Sequence, residues 1–332
     1  MKKRIISFII IFIVTAIVLY FSLKDDYETI INTILGINKI WLLIAFIFLL
    51  GYYFCKAIVM HTFTKEFKRE FRFREALRLT LETNFFHAVT PFSSGGQPYE
   101  IYSLNKKNIK VTDATNISIE CFIVYQIALV LLGLIAVICN NILGFINSSV
   151  LSHLLTLGFM INLFVIVFLF WITLAKETPT KVVNFFIELL GKIKIIKNKN
   201  EIKEKIDNYF KEFNDGAKTL FTDVKRFIKM ILVQFVSLIS LYIVPVALFY
   251  GLGIYDITPL MTIVIMAYVM LIGSFVPIPG GTGGLEFAFV KFFGNFLTGP
   301  ILNAIMLVWR FITYYFGMIL GAIILSTKKD VR

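Results

Sequence analysis

The residue most able to do chemistry in this sequence is Arg310. It stands in Trp309-Arg310-Phe311-Ile312-Thr313-Tyr314-Tyr315, deep inside the apolar run Ile301–Leu325. A charged side chain in hydrocarbon costs about 2.5–3.5 kcal/mol or more, so each one marks either a functional site or an obligatory partner. A guanidinium keeps its charge at any physiological pH and grips a phosphate with two parallel hydrogen bonds. Arg310 therefore has two readings, contact with a phosphate-bearing ligand or a structural pair with Glu286 or Glu120. Glu286 follows the glycine-rich stretch Pro277–Gly284, at the start of a helix that opens near Gly284. Free N–H groups and the helix dipole stabilise a carboxylate there. It either caps that helix, balances Arg310, or carries a proton.

Further polar groups fall in two places. Ser94, Gly95, Gly96 and Gln97 lie in the stretch Thr90–Pro98, with Glu82, Asn84 and His87 before it and Glu100 and Tyr102 after it. Gln97 is the strongest ligand candidate among them. Glu120, Tyr125 and Gln126 lie on the apolar run Ile117–Cys139; Gly281, Gly283 and Gly284 belong to the second stretch, and Tyr314 lies one turn past Arg310. Helices that restart after each stretch would offer unpaired N–H donors to an anion. His87 reads as a hydrogen-bonded spacer, with titration near neutral pH as the alternative. Lys56, one turn from the end of its apolar run, reads as a snorkelling side chain.

Catalytic constellations are missing. There is no GxxxxGK[ST], and Gly280-Gly281-Thr282-Gly283-Gly284 lacks the lysine of a phosphate loop. No HExxH, GxSxG or carboxylate cluster occurs, so the expectation is no catalytic residue, no metal and no cofactor. The three cysteines, Cys55, Cys121 and Cys139, are scattered in apolar runs and read as small buried hydrophobes.

The elements that must position these groups follow from composition. Of 332 residues, 58% are hydrophobic and 16% charged, with a mean hydropathy of +0.81. A soluble domain is about 45–50% apolar and about 25% charged, so an ordinary soluble protein is excluded. The net charge of +12 does not point to nucleic acid, because the basic residues cluster between apolar spans, where anionic lipid headgroups would meet them. Six runs are long enough to cross about 30 Å of hydrocarbon: Ile5–Leu23, Ile40–Met60, Ile117–Cys139, Leu151–Ala175, Met230–Tyr250 and Ile301–Leu325. The first follows Met-Lys-Lys-Arg but has no small-residue cleavage site, so it reads as a retained span.

Two more apolar stretches, about 77–104 and 259–298, are interrupted at Thr90–Pro98 and Pro277–Gly284. Proline removes a helix donor, and glycine admits backbone that other residues resist. Non-helical backbone at membrane depth survives only when protein buries it or water lines it. Both stretches read as helix–break–helix re-entrant hairpins. The whole is expected to be an all-α polytopic membrane protein: six full transmembrane helices, two opposed hairpins whose breaks meet near the midplane, and a possible inverted repeat in one domain spanning 1–332. With the N-terminus placed in the cytoplasm, 28 of the 33 Lys and Arg residues fall on that side and two, Lys24 and Lys39, outside. The first hairpin then enters from the cytoplasm, the second from outside, and the C-terminus is cytoplasmic. The charged segment 176–229 is expected to form amphipathic helices along the cytoplasmic face.

Three motifs carry a family resemblance. Thr90-Pro91-Phe92-Ser93-Ser94-Gly95-Gly96-Gln97-Pro98, with Ile101, Tyr102 and Leu104, resembles the first signature of the lysylphosphatidylglycerol synthase transmembrane-region family of flippase-like membrane proteins. Pro277 to Glu286 resembles the second signature, and Trp309-Arg310-Phe311 with Tyr314-Tyr315 the third. The resemblance implies a module of the bacterial cytoplasmic membrane that moves a phosphate-bearing lipid, phospholipid or lipid-linked glycan, between leaflets. It is closest to stand-alone members without the aminoacyl transferase domain, so synthesis of lysyl-phosphatidylglycerol is not expected of this chain. Its partners would be that lipid and, in principle, a second copy or another membrane protein. Two other readings stand beside it: a non-catalytic membrane scaffold, and a lipid-modifying enzyme with Glu286 as general base.

Overall fold

The computed structural model describes residues 27–146, 149–174, 183, 187, 199–217, 223–273 and 276–327. The expected first span, Ile5–Leu23, and most of 176–198 lie outside the described residues. Among those described, every regular element is helical. The helices are α1 (Tyr27–Gly36), α2 (Lys39–Phe67), α3 (Phe73–Val89), α4 (Gly96–Asn105), α5 (Val111–Leu143), α6 (Ser149–Leu174) and α7 (Lys199–Ala217). They continue as α8 (Val224–Tyr242), α9 (Val244–Gly251), α10 (Pro259–Gly273), α11 (Gly284–Phe293), α12 (Pro300–Arg310) and α13 (Gly317–Ser326).

Five of these units are long and apolar enough to cross a membrane among the described residues: α2, α5, α6, α8–α9 and α12–α13. They coincide with five of the six expected spans, but most overrun them at the charged end. Hydropathy stops at the first Lys or Glu, whereas those residues are good helix formers and the helix continues to a true stop. Thus α2 runs past Met60 to Phe67, where Lys68 is extended. Gly144 ends α5 in a left-handed conformation at φ 66°. Asn38 and Asp223 cap α2 and α8 through their side chains. Pro245 divides α8 from α9, and a six-residue π turn, Phe311–Phe316, joins α12 to α13 immediately after Arg310.

The two interrupted stretches are helix–break–helix units. In the first, α3 stops at Val89, a 3₁₀ turn covers Pro91–Ser93, and α4 starts at Gly96. In the second, α10 stops at Gly273, a 3₁₀ turn covers Pro279–Gly281, and α11 starts at Gly284. The turns share one backbone. Each follows an extended residue, Thr90 (φ −121°, ψ 145°) or Ile278 (φ −92°, ψ 143°). Two left-handed residues come next, Phe92 and Ser93 at φ 53° in one, Gly280 and Gly281 at φ 64° in the other. Each also closes the same two hydrogen bonds, Ser93 N–H to Thr90 O and Ser94 N–H to Pro91 O against Gly281 N–H to Ile278 O and Thr282 N–H to Pro279 O. The two units share one register, Pro91 with Pro279 and Gly96 with Gly284, but their backbones part at Ser94 (ψ −14°) against Thr282 (ψ 138°) and at Gly95 (φ −80°) against Gly283 (φ 87°).

The flanking helices match in the same register and run in opposite directions. Along α2 and α8–α9 the contacts pair Trp41 with Tyr250, Phe48 with Ser240, Tyr52 with Ser237 and Glu66 with Arg226. Residue numbers that rise on one helix while falling on its partner define an antiparallel pair. The same holds for α5 with α10, through Gly133 against Leu271 and Ala136 against Tyr268. It holds again for α3 with α13, through Arg78 against Ile324 and Gly321 against Phe85. Gly133 and Gly321 are themselves equivalent positions, each admitting a close helix. The units α2–α5 and α8–α13 are therefore inverted structural copies. Because α9 ends beside Ile37 and Asn38, the second hairpin begins at the opposite end of the bundle from the first. Their breaks pack on each other.

Segment α7 lies across the start of α5. Phe213 is buried and its carbonyl accepts from Asn116, while Tyr209 and Glu212 bond Thr115 and Thr112.

Candidate functional site

Two apolar cores fill the bundle, and a polar layer separates them. On α2 the first core includes Tyr53 and the second Val59, with Lys56 between. On α5 they include Ala128 and Val124, with Tyr125 and Gln126 between; on α8, Leu238 and Met230, with Gln234 between. This layer walls a cavity of about 750 Å³ that reaches Phe92 and Ser93 of the first break and Val276 and Gly281 of the second. The polar wall comprises Lys56, Thr80, Thr83, Asn84, His87, Gln97, Glu100, Ser118, Gln126, Asn162 and Gln234. Beyond the breaks the bundle is closed: Phe289, Phe292, Phe293 and Trp309 are buried to within rounding of zero exposure. The cavity thus occupies one half of the inverted pair, the half toward the end of α2 and the start of α3.

Arg310 does not line this cavity. Its Nε donates to Glu286 Oε1 at 2.7 Å, and its Nη2 donates to Gly280 O at 3.0 Å and Thr282 Oγ1 at 3.4 Å. Glu286 Oε2 accepts the Gly283 N–H at 2.7 Å. Two of the three readings of Glu286 are realised together, for it caps α11 and pairs with Arg310. At 4% and 6% exposure the two charges are buried, so each needs the other. The guanidinium also stacks on Tyr314, 4.5 Å from the ring centroid. Tyr314 in turn covers Gly280, where any Cβ would run into its ring. Together these groups lock the second break rather than face open space.

The first break has its own lock, built without charge. His87 Nδ1–H donates to Ser93 O, and the imidazole lies so close to Gly96 that only glycine fits there. Thr90 Oγ1 accepts from Gly95 N–H at 2.8 Å and donates to Phe86 O at 2.7 Å. His87 is thus the hydrogen-bonded spacer. Ser94 is exposed and bonds Pro91 O.

Of the remaining sequence candidates, Gln97, Gln126 and Gly281 lie on the cavity wall. Gly283 and Gly284 shape the start of α11, Gly284 pressed on Val276. Glu120 is 1% exposed and lies outside the wall. The structure therefore brings Gln97, Gln126 and Gly281 together with Lys56, and sets Arg310, Glu286 and Tyr314 behind the second break. Sequence reasoning gave Lys56 to the water interface because it ended the span at Met60. With α2 continuing to Phe67, Lys56 sits farther in, its Nζ 5.4 Å from the Tyr52 ring centroid. Thr83, Asn162 and Gln234 also lie on the wall, and a lone Thr, Asn or Gln in an apolar helix carries no sequence signal of which way it faces. No group of three or more metal-ligating side chains occurs among the described residues.

A helical bundle with membrane-length apolar helices, two broken helices meeting at mid-height and a polar cavity between two dry cores is a multi-pass membrane protein of the discontinuous-helix kind. Residues 4–321 match the family described as Lysylphosphatidylglycerol synthase TM region, and the chain belongs to that family. It is also 24% identical over 322 residues to a UPF0104 membrane protein of Archaeoglobus fulgidus, covering 93% of this chain and 92% of that one.

Proposed function

We propose that this protein moves a phosphate-bearing lipid, a phospholipid or a lipid-linked glycan, between the leaflets of the cytoplasmic membrane. The observation that carries the reading is the cavity of about 750 Å³ at the meeting point of the two breaks. A polar headgroup crossing the membrane needs a polar resting place near mid-depth, and discontinuous helices from opposite ends are how transporter folds supply one. The inverted halves support it further, because a cavity in one half can be exchanged for a cavity in the other by rocking one copy against its twin. In this reading the termini are cytoplasmic and the cavity is in its inward-facing form, with Gln97, Gln126 and Gly281 on its wall. Arg310 and Glu286 hold the second break in the shape that closes the outer half.

Purified protein reconstituted into liposomes that carry a headgroup-labelled fluorescent phospholipid tests this. Dithionite added outside should bleach label from both leaflets when protein is present, and only the outer-leaflet label in protein-free vesicles. Identical bleaching in the two preparations, across phosphatidylglycerol, phosphatidylethanolamine and a polyprenyl phosphate, would sink the proposal.

A further inference from the structure

Most threonines in these helices spend their hydroxyl on the preceding turn. Thr62, Thr64, Thr90, Thr115, Thr173, Thr262 and Thr313 all donate to the carbonyl four residues back, at 2.7–3.0 Å. Thr83 does not. Its Oγ1 is buried with no protein partner, though the residue is only 2% exposed and lines the cavity. Gln234, also 2% exposed and on the cavity wall, leaves its Nε2 donors without a protein partner. A buried donor left unmade costs about 1–3 kcal/mol, so a guest that accepts from both would be favoured.

Both donors belong to side chains on the wall of the same cavity as Lys56. The pairing of α2 with α8, which sets Tyr52 beside Ser237 and Glu66 beside Arg226, brings Gln234 level with residues 55–57. Helix α3 folds back along α2, with Phe73 on Phe54 and His61, and carries Thr80, Thr83, Asn84 and His87 to the same wall. No carboxylate lies within ion-pairing distance of Lys56 among the described residues. Glu100 shares the cavity, tied to Ser118 Oγ at 2.7 Å, and attracts the ammonium at longer range. Lys56 also bonds the Tyr52 side chain, and an ammonium with three N–H donors has others left for a ligand.

We infer that Lys56, Gln234 and Thr83 form the seat of a tetrahedral oxyanion, the phosphate of a lipid headgroup or a free phosphate ion. The Lys56 ammonium, the Gln234 amide N–H and the Thr83 hydroxyl can all donate, and phosphate oxygens are the acceptors that match them. Arg310 is not part of the seat, its guanidinium being committed to Glu286, Gly280 and Thr282. The inference rests on the lipid reading for its preferred source of phosphate, while the seat itself stands on the geometry.

The test uses the full chain in a phosphate-free glycosidic detergent. Binding of fluorescent phosphatidylglycerol is compared with that of diacylglycerol carrying the same label on its acyl chain, with inorganic phosphate as competitor. The parental protein should prefer the phospholipid about tenfold or more, the scale of one charge-assisted contact. Lys56→Gln should bring that preference to about one, and Gln234→Leu and Thr83→Val should each cut it about threefold. Lys56→Arg should keep most of it. Diacylglycerol binding should be unchanged in all four, which shows that they are folded. Displacement of the label by inorganic phosphate from the parental chain but not from Lys56→Gln supports the seat and names the free ion as a guest; displacement by lipid alone supports it with a lipid source. An unaltered preference in Lys56→Gln and Gln234→Leu, or no preference in the parental chain, overturns the inference. Intact preference without dithionite-accessible transfer in liposomes defeats translocation and leaves the seat standing.

Discussion

The hydroxyl of Tyr314 donates to the carbonyl of Ala88 at 3.0 Å, across 226 positions of sequence. This bond joins the last turn before the first break to the π turn that follows Arg310. The same ring covers Gly280 and stacks on the Arg310 guanidinium, so one side chain touches both breaks and the ion pair between them. Tyr314→Phe keeps the ring and removes only the hydroxyl, with its bonds to Ala88 and Thr282. It should lower stability by about 1 kcal/mol, seen as a lower unfolding midpoint in detergent, and should slow lipid transfer in proteoliposomes. A midpoint and rate equal to the parental values would show that the two breaks are held elsewhere.

Arg310 and Glu286 should behave as one unit. Arg310→Ala strands a buried carboxylate and should cost about 3–5 kcal/mol. Glu286→Gln alone strands the guanidinium and should be comparably harmful. The double change Arg310→Ala with Glu286→Gln should recover much of the loss, because no uncompensated charge remains, without recovering transfer. Arg310→Lys preserves charge but not the fork that reaches Glu286 and Gly280 together, so it should retain weak transfer. Additive losses in the double variant, measured by thermal unfolding, would show that the pair is not coupled.

The twin turns make a prediction of opposite sign. Phe92 and Ser93 hold left-handed backbone at φ 53° where the second turn uses Gly280 and Gly281. Such conformations cost a residue with a side chain about 1–3 kcal/mol. Ser93→Gly should therefore raise the unfolding midpoint, whereas Gly280→Ala should lower it sharply because the new Cβ meets the Tyr314 ring. Gly253→Ala is the control, left-handed at φ 76° but with nothing within 4 Å of the new Cβ, and should show the cost of the backbone alone.

These contrasts mark where the sequence was legible. Hydropathy located the five described spans, and Pro with Gly located both breaks, because each signal is local. The left-handed residues of the first break were not legible, since the glycines that draw attention, Gly95 and Gly96, have ordinary backbone there and are small because Thr90 and His87 press on them. The Arg310–Glu286 pair could be anticipated because a buried cation in an apolar run has few carboxylates to choose from. The cavity wall could not. Lys56, Thr83 and Gln234 come from three helices, and only the packing of those helices brings them to one cavity. The inverted repeat was partly legible, because both breaks read Pro-x-x-Ser/Thr-Gly-Gly, whereas the equivalence of Gly133 with Gly321 shows only in space.

The orientation of the two hairpins in the membrane gives the last prediction. The first begins where α2 ends and the second where α9 ends, at opposite ends of the bundle, so their outer turns must face opposite sides of any membrane the bundle spans. Lys106 and Thr298 are exposed residues at those two outer ends. The basic residues fix which side is which: Lys65, Lys68, Arg69, Arg72 and Arg74 flank the first hairpin, whereas loop 251–258 before the second has no Lys or Arg. In a background with Cys55, Cys121 and Cys139 replaced by alanine, a cysteine at Lys106 should react with an impermeant maleimide only after the cytoplasmic side is opened. A cysteine at Thr298 should react in intact cells. Labelling of Thr298→Cys only from the cytoplasm would place both hairpins on one side, and the polar cavity would then have no route to the outer leaflet.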